Sequence, residues 1–190
     1  MDHDELSAHD VARELRRRIP SAGTFQIQKL LYYCNGWNIA WNGEPLFRER
    51  VEAWEQGPVV ADLWHDEKHD HQLPPERELT GSQVAVVEYV VSRYGSFTSE
   101  ELRYITHHED PWRNFADADG VLRVRNAEIT HDAMRVWFTH DGEYLAHRTE
   151  VARLRKRRDV YGFEGPAITP ELRAAAARVL DRPIADAHPA

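Results

Sequence analysis

Apolar positions recur at intervals of three and four along most of this chain, a pattern that predicts helices. The clearest stripe is Ile27, Leu30, Leu31, Cys34, Trp37 and Trp41. It falls on one face of a helix that Thr24 caps and Asn42-Gly43 ends. An earlier helix over 8–19 carries Val11, Leu15 and Ile19 and stops at Pro20. The period changes over 45–56, where Leu46-Phe47 and Val51–Trp54 are short and partly alternating. That predicts a small hairpin or extended segment. Gly57 then supplies a permissive dihedral, and Pro58 suits the first turn of a helix running to about His69. Val59, Val60, Leu63 and Trp64 would form its apolar face.

Beyond a polar loop, Val84, Val87, Val91 and Tyr94 mark a helix over 80–94. Thr98 and Glu101 have capping-box spacing for a helix over 99–107. Pro111 is expected to push Asp110 out of the helical region, with Trp112 plugging the core. A short strand is expected around 121–124, and Thr130 caps a helix over 131–138. Asp141-Gly142 marks a boundary. A basic helix (143–158) and an Ala-rich helix (170–180) are expected after it. The fold class is therefore mainly α: a compact helical domain with a small β-hairpin over 1–141, plus a helical C-terminal extension over 142–190. The expected core includes Leu30, Leu31, Trp37, Trp54, Val59, Leu63, Val87, Leu102 and Trp112.

Composition narrows the class. The 190 residues are 42 % hydrophobic, a globular balance with room for one sizeable core. No apolar run is long enough to span a bilayer, and the acidic start Met-Asp-His-Asp-Glu lacks the features of a secretory signal. A cytoplasmic protein with no membrane partner is expected. Cys34 is the only cysteine, so an internal disulfide is excluded, and its place on an apolar face predicts an inert thiol. The net charge of −8 argues against general nucleic-acid binding. The charge is uneven, because Arg148, Arg153, Arg155, Lys156, Arg157 and Arg158 crowd one C-terminal segment of an otherwise acidic chain.

Candidate contact residues follow from these patterns. Tyr32 and Tyr33 are adjacent on a helix, so one is expected to point away from the core. Asp62, Asp66 and Asp70 belong to an acidic stretch that could steer a basic partner surface. His107 stands at a helix end, where it could bond a carbonyl or touch a partner. Arg153 and Arg157 lie on the basic segment. A competing reading comes from six histidines followed directly by aspartate: His3, His9, His65, His69, His131 and His140. His65 and His69 share a helical face, and His107 or His108 could join them at a metal, as in HD-type phosphohydrolases. A third reading is a DNA-binding autoregulator that uses the basic helix. Against the enzyme, the pairs sit at helix starts and polar ends; against the DNA reader, the body is acidic.

Three blocks also carry a family resemblance. The first is Gln28-Lys29-Leu30-Leu31-Tyr32-Tyr33 through Trp37. The second is Glu52-Ala53-Trp54 with Gly57-Pro58-Val59-Val60. The third is Tyr94-Gly95, Leu102, Thr106-His107 and Pro111-Trp112. Their order and spacing over roughly 24–138 resemble the Panacea, or SocA-like, antitoxin domain of bacterial and phage toxin–antitoxin systems. The resemblance implies a mostly helical fold with a little sheet and no enzymatic activity, and the residues themselves lead us to expect no catalytic set, no metal and no cofactor. It implies a protein toxin encoded beside the chain as partner, and it suggests a cytoplasmic protease as the recipient of the captured toxin.

Overall fold

The computed structural model describes residues 6–69 and 75–140. Asp70 and the C-terminal expectations, Arg153 and Arg157 included, lie outside the described residues. The elements run α1 (Ala8–Arg18), α2 (Thr24–Asn42), β1 (Val51–Trp54), β2 (Gly57–Val60), α3 (Ala61–His69), α4 (Gly81–Tyr94), α5 (Ser99–His107), α6 (Asp110–Arg113), β3 (Ala127–Glu128) and α7 (His131–His140). The mainly helical class with a small hairpin is what the chain adopts.

Helix α2 is the axis of the molecule. It packs against α1, α4, α5, α7 and β2. Every residue from Ile27 to Ala40 is buried, although the sequence shows a single stripe. Several polar groups on its other faces find partners inside, although Gln28 Nε2 and Asn35 Nδ2 are buried without a hydrogen bond. Asn35 Oδ1 accepts from the backbone N–H of Leu46 (2.9 Å), and Asn38 Nδ2 donates to the carbonyl of Glu44 (2.8 Å). These two bonds pin the connection from α2 to β1.

Short-range chemistry sets the helix ends. Ser7 and Asp10 form a capping box on α1, and Glu49 Oε2 accepts from the N–H of Ala8 (2.7 Å). Thr80 and Thr98 cap α4 and α5 in the same way, each with its partner three residues on. Gly43 closes α2 in the left-handed region at φ 82°. The N-cap of α2 is Gly23, with Thr24 as its first helical residue, one position away from the expected cap.

The hairpin departs further from expectation. Residues 57–60 are strand β2, not the first turn of a helix, and α3 begins at Ala61. Val51 pairs with Val60, and Trp54 with Gly57, around a turn at Glu55-Gln56. Gly57 adopts φ 96°, which an L side chain rarely tolerates. The strand order is β2-β1-β3, so β2 is an edge, where Pro58 loses no ladder bond. The strand expected at 121–124 is reduced to an isolated bridge between Ala116 and Leu122, and pairing with β1 falls to Ala127–Glu128. Asp110 is helical, because the residue left extended is Glu109 (φ −93°, ψ 133°), one position earlier than expected. Of the expected core residues, all are buried except Trp54, which is half-buried.

Candidate functional site

The three sequence blocks meet at one place, where α2, the hairpin and the α5–α6 corner join. Gln28 and Lys29 lie against the open edge of β2. Gln28 Oε1 accepts from the N–H of Val60 (2.7 Å), and Lys29 Nζ donates to the carbonyl of Pro58 (2.8 Å). Two backbone groups that an edge strand would leave unpaired are thereby satisfied from α2. Gly57 makes the approach possible. A Cβ there would stand 2.8 Å from Lys29 Cε and 2.9 Å from Thr106 Oγ1. Thr106 turns that hydroxyl back onto the carbonyl of Leu102 (2.9 Å).

One turn along α2, Tyr32 and Tyr33 are both fully buried. The expectation that one of them faces outward is corrected. Neighbouring residues on a helix do diverge, but a helix enclosed on all sides buries both directions. Both phenols donate to a single buried carboxylate, Glu109: Tyr32 to Oε2 (2.8 Å) and Tyr33 to Oε1 (2.9 Å). Burial first, and then the Glu109 charge, raise both tyrosines well above their ordinary range, so they remain donors. Tyr33 also stacks on Tyr94, with centroids 3.9 Å apart. Glu109 was not among the expected site residues. Two buried tyrosines need an acceptor, and a lone Glu preceding Asp-Pro-Trp was the signal available.

His107 and Trp112 complete the corner. Their rings stack at 3.6 Å, and Trp112 Nε1 donates to the carbonyl of Trp54 (2.9 Å). His107 is half-buried, and its Nε2 is shielded without a hydrogen-bond partner. It therefore does not bond a helix-end carbonyl through that atom. Burial, then the charges of Arg103, Lys29 and His108, push its pKa down to about 4. Burial, then Arg103, push Lys29 down to about 7. At pH 7 His107 is therefore neutral and the enclosed Lys29 only partly protonated, so exposed Arg103 is the full positive charge of the three.

The acidic stretch behaves otherwise. Asp66 meets His9 Nε2 at 3.0 Å, Glu67 meets Arg16 at 2.6 Å and Glu76 meets Arg13 at 3.1 Å. These carboxylates bind α1 to the α3 region, and on α3 itself Asp62 is the exposed acidic residue. His65 and His69 stack on each other with centroids 6.4 Å apart. Among the described residues, no three His, Cys, Asp or Glu side chains converge as metal ligands. No described helix is long and apolar enough to cross a membrane.

The family model described as antitoxin SocA-like, Panacea domain, matches residues 27–113. That stretch is the one the motifs point to. The Panacea match opens beside Gln28-Lys29, includes the whole hairpin and closes at the end of α6, so it contains every contact of the corner just described. It supports a toxin–antitoxin role in general. Comparison with curated proteins and with solved structures gives no match. Aromatic residues at the rim escaped the sequence reading. Phe25 is 45 % exposed, stacks near Trp64 (5.2 Å) and continues to Trp54 (6.1 Å from Trp64). Tyr104 is 57 % exposed on α5 beside His108 (4.4 Å).

Proposed function

We propose that this chain is the antitoxin of a two-protein module and neutralises, by direct binding, a protein toxin encoded beside it. The observation that carries the reading is the Panacea match over 27–113, which coincides with the α2–hairpin–α5 corner. Capture rather than catalysis is the proposed role. The buried polar groups of the corner bond one another and hold the scaffold, while aromatic residues and arginine lie at its rim, the residue types that anchor protein interfaces. Exposed Phe25 and Tyr104, with Trp54 and Trp64 between elements, replace Tyr32 and Tyr33 as the proposed anchors. Asp62 is the acidic residue of α3 free to face a partner, and Arg153 and Arg157 on the C-terminal segment are proposed to tune partner choice. Delivery of the captured toxin to a cytoplasmic protease is the proposed route of disposal.

The test is co-expression in a bacterial host. The product of the adjacent gene, induced alone, should arrest growth, and this chain should restore it. Absence of toxicity, or toxicity that this chain leaves unrelieved, would remove the antitoxin reading. Phe25→Ala combined with Tyr104→Ala should impair rescue while the purified protein keeps its helical spectrum.

A further inference from the structure

We propose that Arg103, His107 and the enclosed Lys29 form a docking subsite for a carboxylate carried by the protein partner. The proposal rests on the antitoxin reading for the identity of the carrier, and on the geometry for the site. Six arginines are committed: Arg13, Arg16, Arg18, Arg48, Arg125 and Arg135 each pair with a carboxylate. Arg103 is exposed and forms no ion pair with a described residue. Lys29 is 1 % exposed, donates to the Pro58 carbonyl and likewise has no carboxylate partner among the described residues. An enclosed amine with only a neutral carbonyl to bond is an unusual arrangement, and burial leaves it only partly protonated at neutral pH. Beside it, His107 Nε2 has a polar atom with nothing to bond.

The three groups belong together. Gly57 places the Lys29 stem against Thr106, the residue before His107. Arg103 precedes His107 by one turn of α5 and acts electrostatically on both His107 and Lys29. The nearest acid in sequence, Glu109, faces inward to the two tyrosines. An incoming carboxylate would sit on the Arg103 fork, the geometry that guanidinium best recognises. The neutral His107 ring would lie beside it, and the partly protonated Lys29 would add positive charge nearby. The chain, at a net charge of −8, would repel a polyanion such as nucleic acid but accept one acidic side chain at the Arg103 guanidinium. Tyr104, exposed next to Arg103, is the kind of anchor that accompanies such a contact in a protein interface.

Two measurements on the full chain test this. In the first, Lys29 side-chain and His107 ring resonances are followed by NMR as sodium acetate is added, with sodium chloride at matched ionic strength as control. Acetate should shift both sets in the wild type and neither in Arg103→Glu. Resonances that respond equally to chloride, or that shift equally in Arg103→Glu, would overturn the subsite. In the second, binding to the adjacent gene's product is measured by calorimetry. Arg103→Glu should weaken it by about tenfold or more, Arg103→Lys should keep most of it, and reversing one acidic residue of the partner should recover affinity for Arg103→Glu. Unchanged affinity in Arg103→Glu would overturn the proposed carrier. Acetate-specific shifts in a chain that does not bind that product would support the subsite and count against the antitoxin reading instead.

Discussion

At the scale of single residues, the corner depends on two buried charges with opposite circumstances. Glu109 accepts from two phenols, so removing it leaves both donors without their charged acceptor. Glu109→Ala should destabilise the protein by about 2–4 kcal/mol in urea unfolding, and Tyr32→Phe or Tyr33→Phe by about 1–2 kcal/mol each. The double Phe variant should be non-additive, because both hydroxyls share one partner. Lys29 is the opposite case. Its folded pKa, about 7, lies below the unfolded value of 10.5, so between those values the unfolded chain binds more protons. Stability should therefore rise as pH is raised from about 7 toward 10, with a slope of up to about 1.4 kcal/mol per pH unit. Unfolding measured across that range should show the slope in the wild type and its loss in Lys29→Met. His107 has the same sign in a lower window. Its folded pKa of about 4 lies below 6.5, so its contribution is complete above 6.5 and declines as pH falls toward 4.

At the scale of elements, α2 and α7 meet through a glycine notch. A Cβ on Gly36 would overlap the ring of Phe138, which also packs edge-on to Trp37 at 5.0 Å. Alanine favours a helix over glycine by about 1 kcal/mol, yet Gly36→Ala should still destabilise by about 1–3 kcal/mol through overpacking. A Tm equal to or above that of the wild type would refute the notch. The same helix illustrates how far the sequence can be read. Its existence, length and glycine stop follow from periodicity and capping. Its burial on every face does not, because Gln28, Lys29, Asn35 and Asn38 are polar: Gln28 and Lys29 find partners on β2, and Asn35 and Asn38 on the connection that folds back after α2. The strand at 57–60 was hidden for a related reason. Pro58 is a good helix starter, and only the pairing of Val60 with Val51 overrides that local preference.

At the scale of the whole molecule, the described core closes on α7, with Met134 and Phe138 buried against the rest. The C-terminal segment therefore need not complete it. A chain truncated after residue 141 should keep its helical circular dichroism and cooperative unfolding. Impaired rescue by that truncation would support a partner-tuning role for the segment that carries Arg153 and Arg157, and full rescue would dismiss it. Charge is organised at this scale too. Asp66, Glu67 and Glu76 join α3 and the following loop to α1, whereas Arg103 on α5 forms no ion pair with a described residue. The acidic stretch thus holds the scaffold more than it advertises a surface.

The sequence by itself determined the helical class, most element boundaries, the greater part of the core and the family to which residues 27–113 are matched. These depend on spacing, capping and short motifs, which act within a few residues and are written locally. Tertiary structure alone decided that Tyr32 and Tyr33 are both interior, that Glu109 receives them, that residues 57–60 form a strand and that Lys29 lies enclosed against β2. The buried bonds turn on partners 29 to 77 positions apart, and the strand on pairing with β1 and on α2 closing its open edge. Local pattern carries no record of which distant backbone edge or carboxylate will arrive to satisfy a buried polar group.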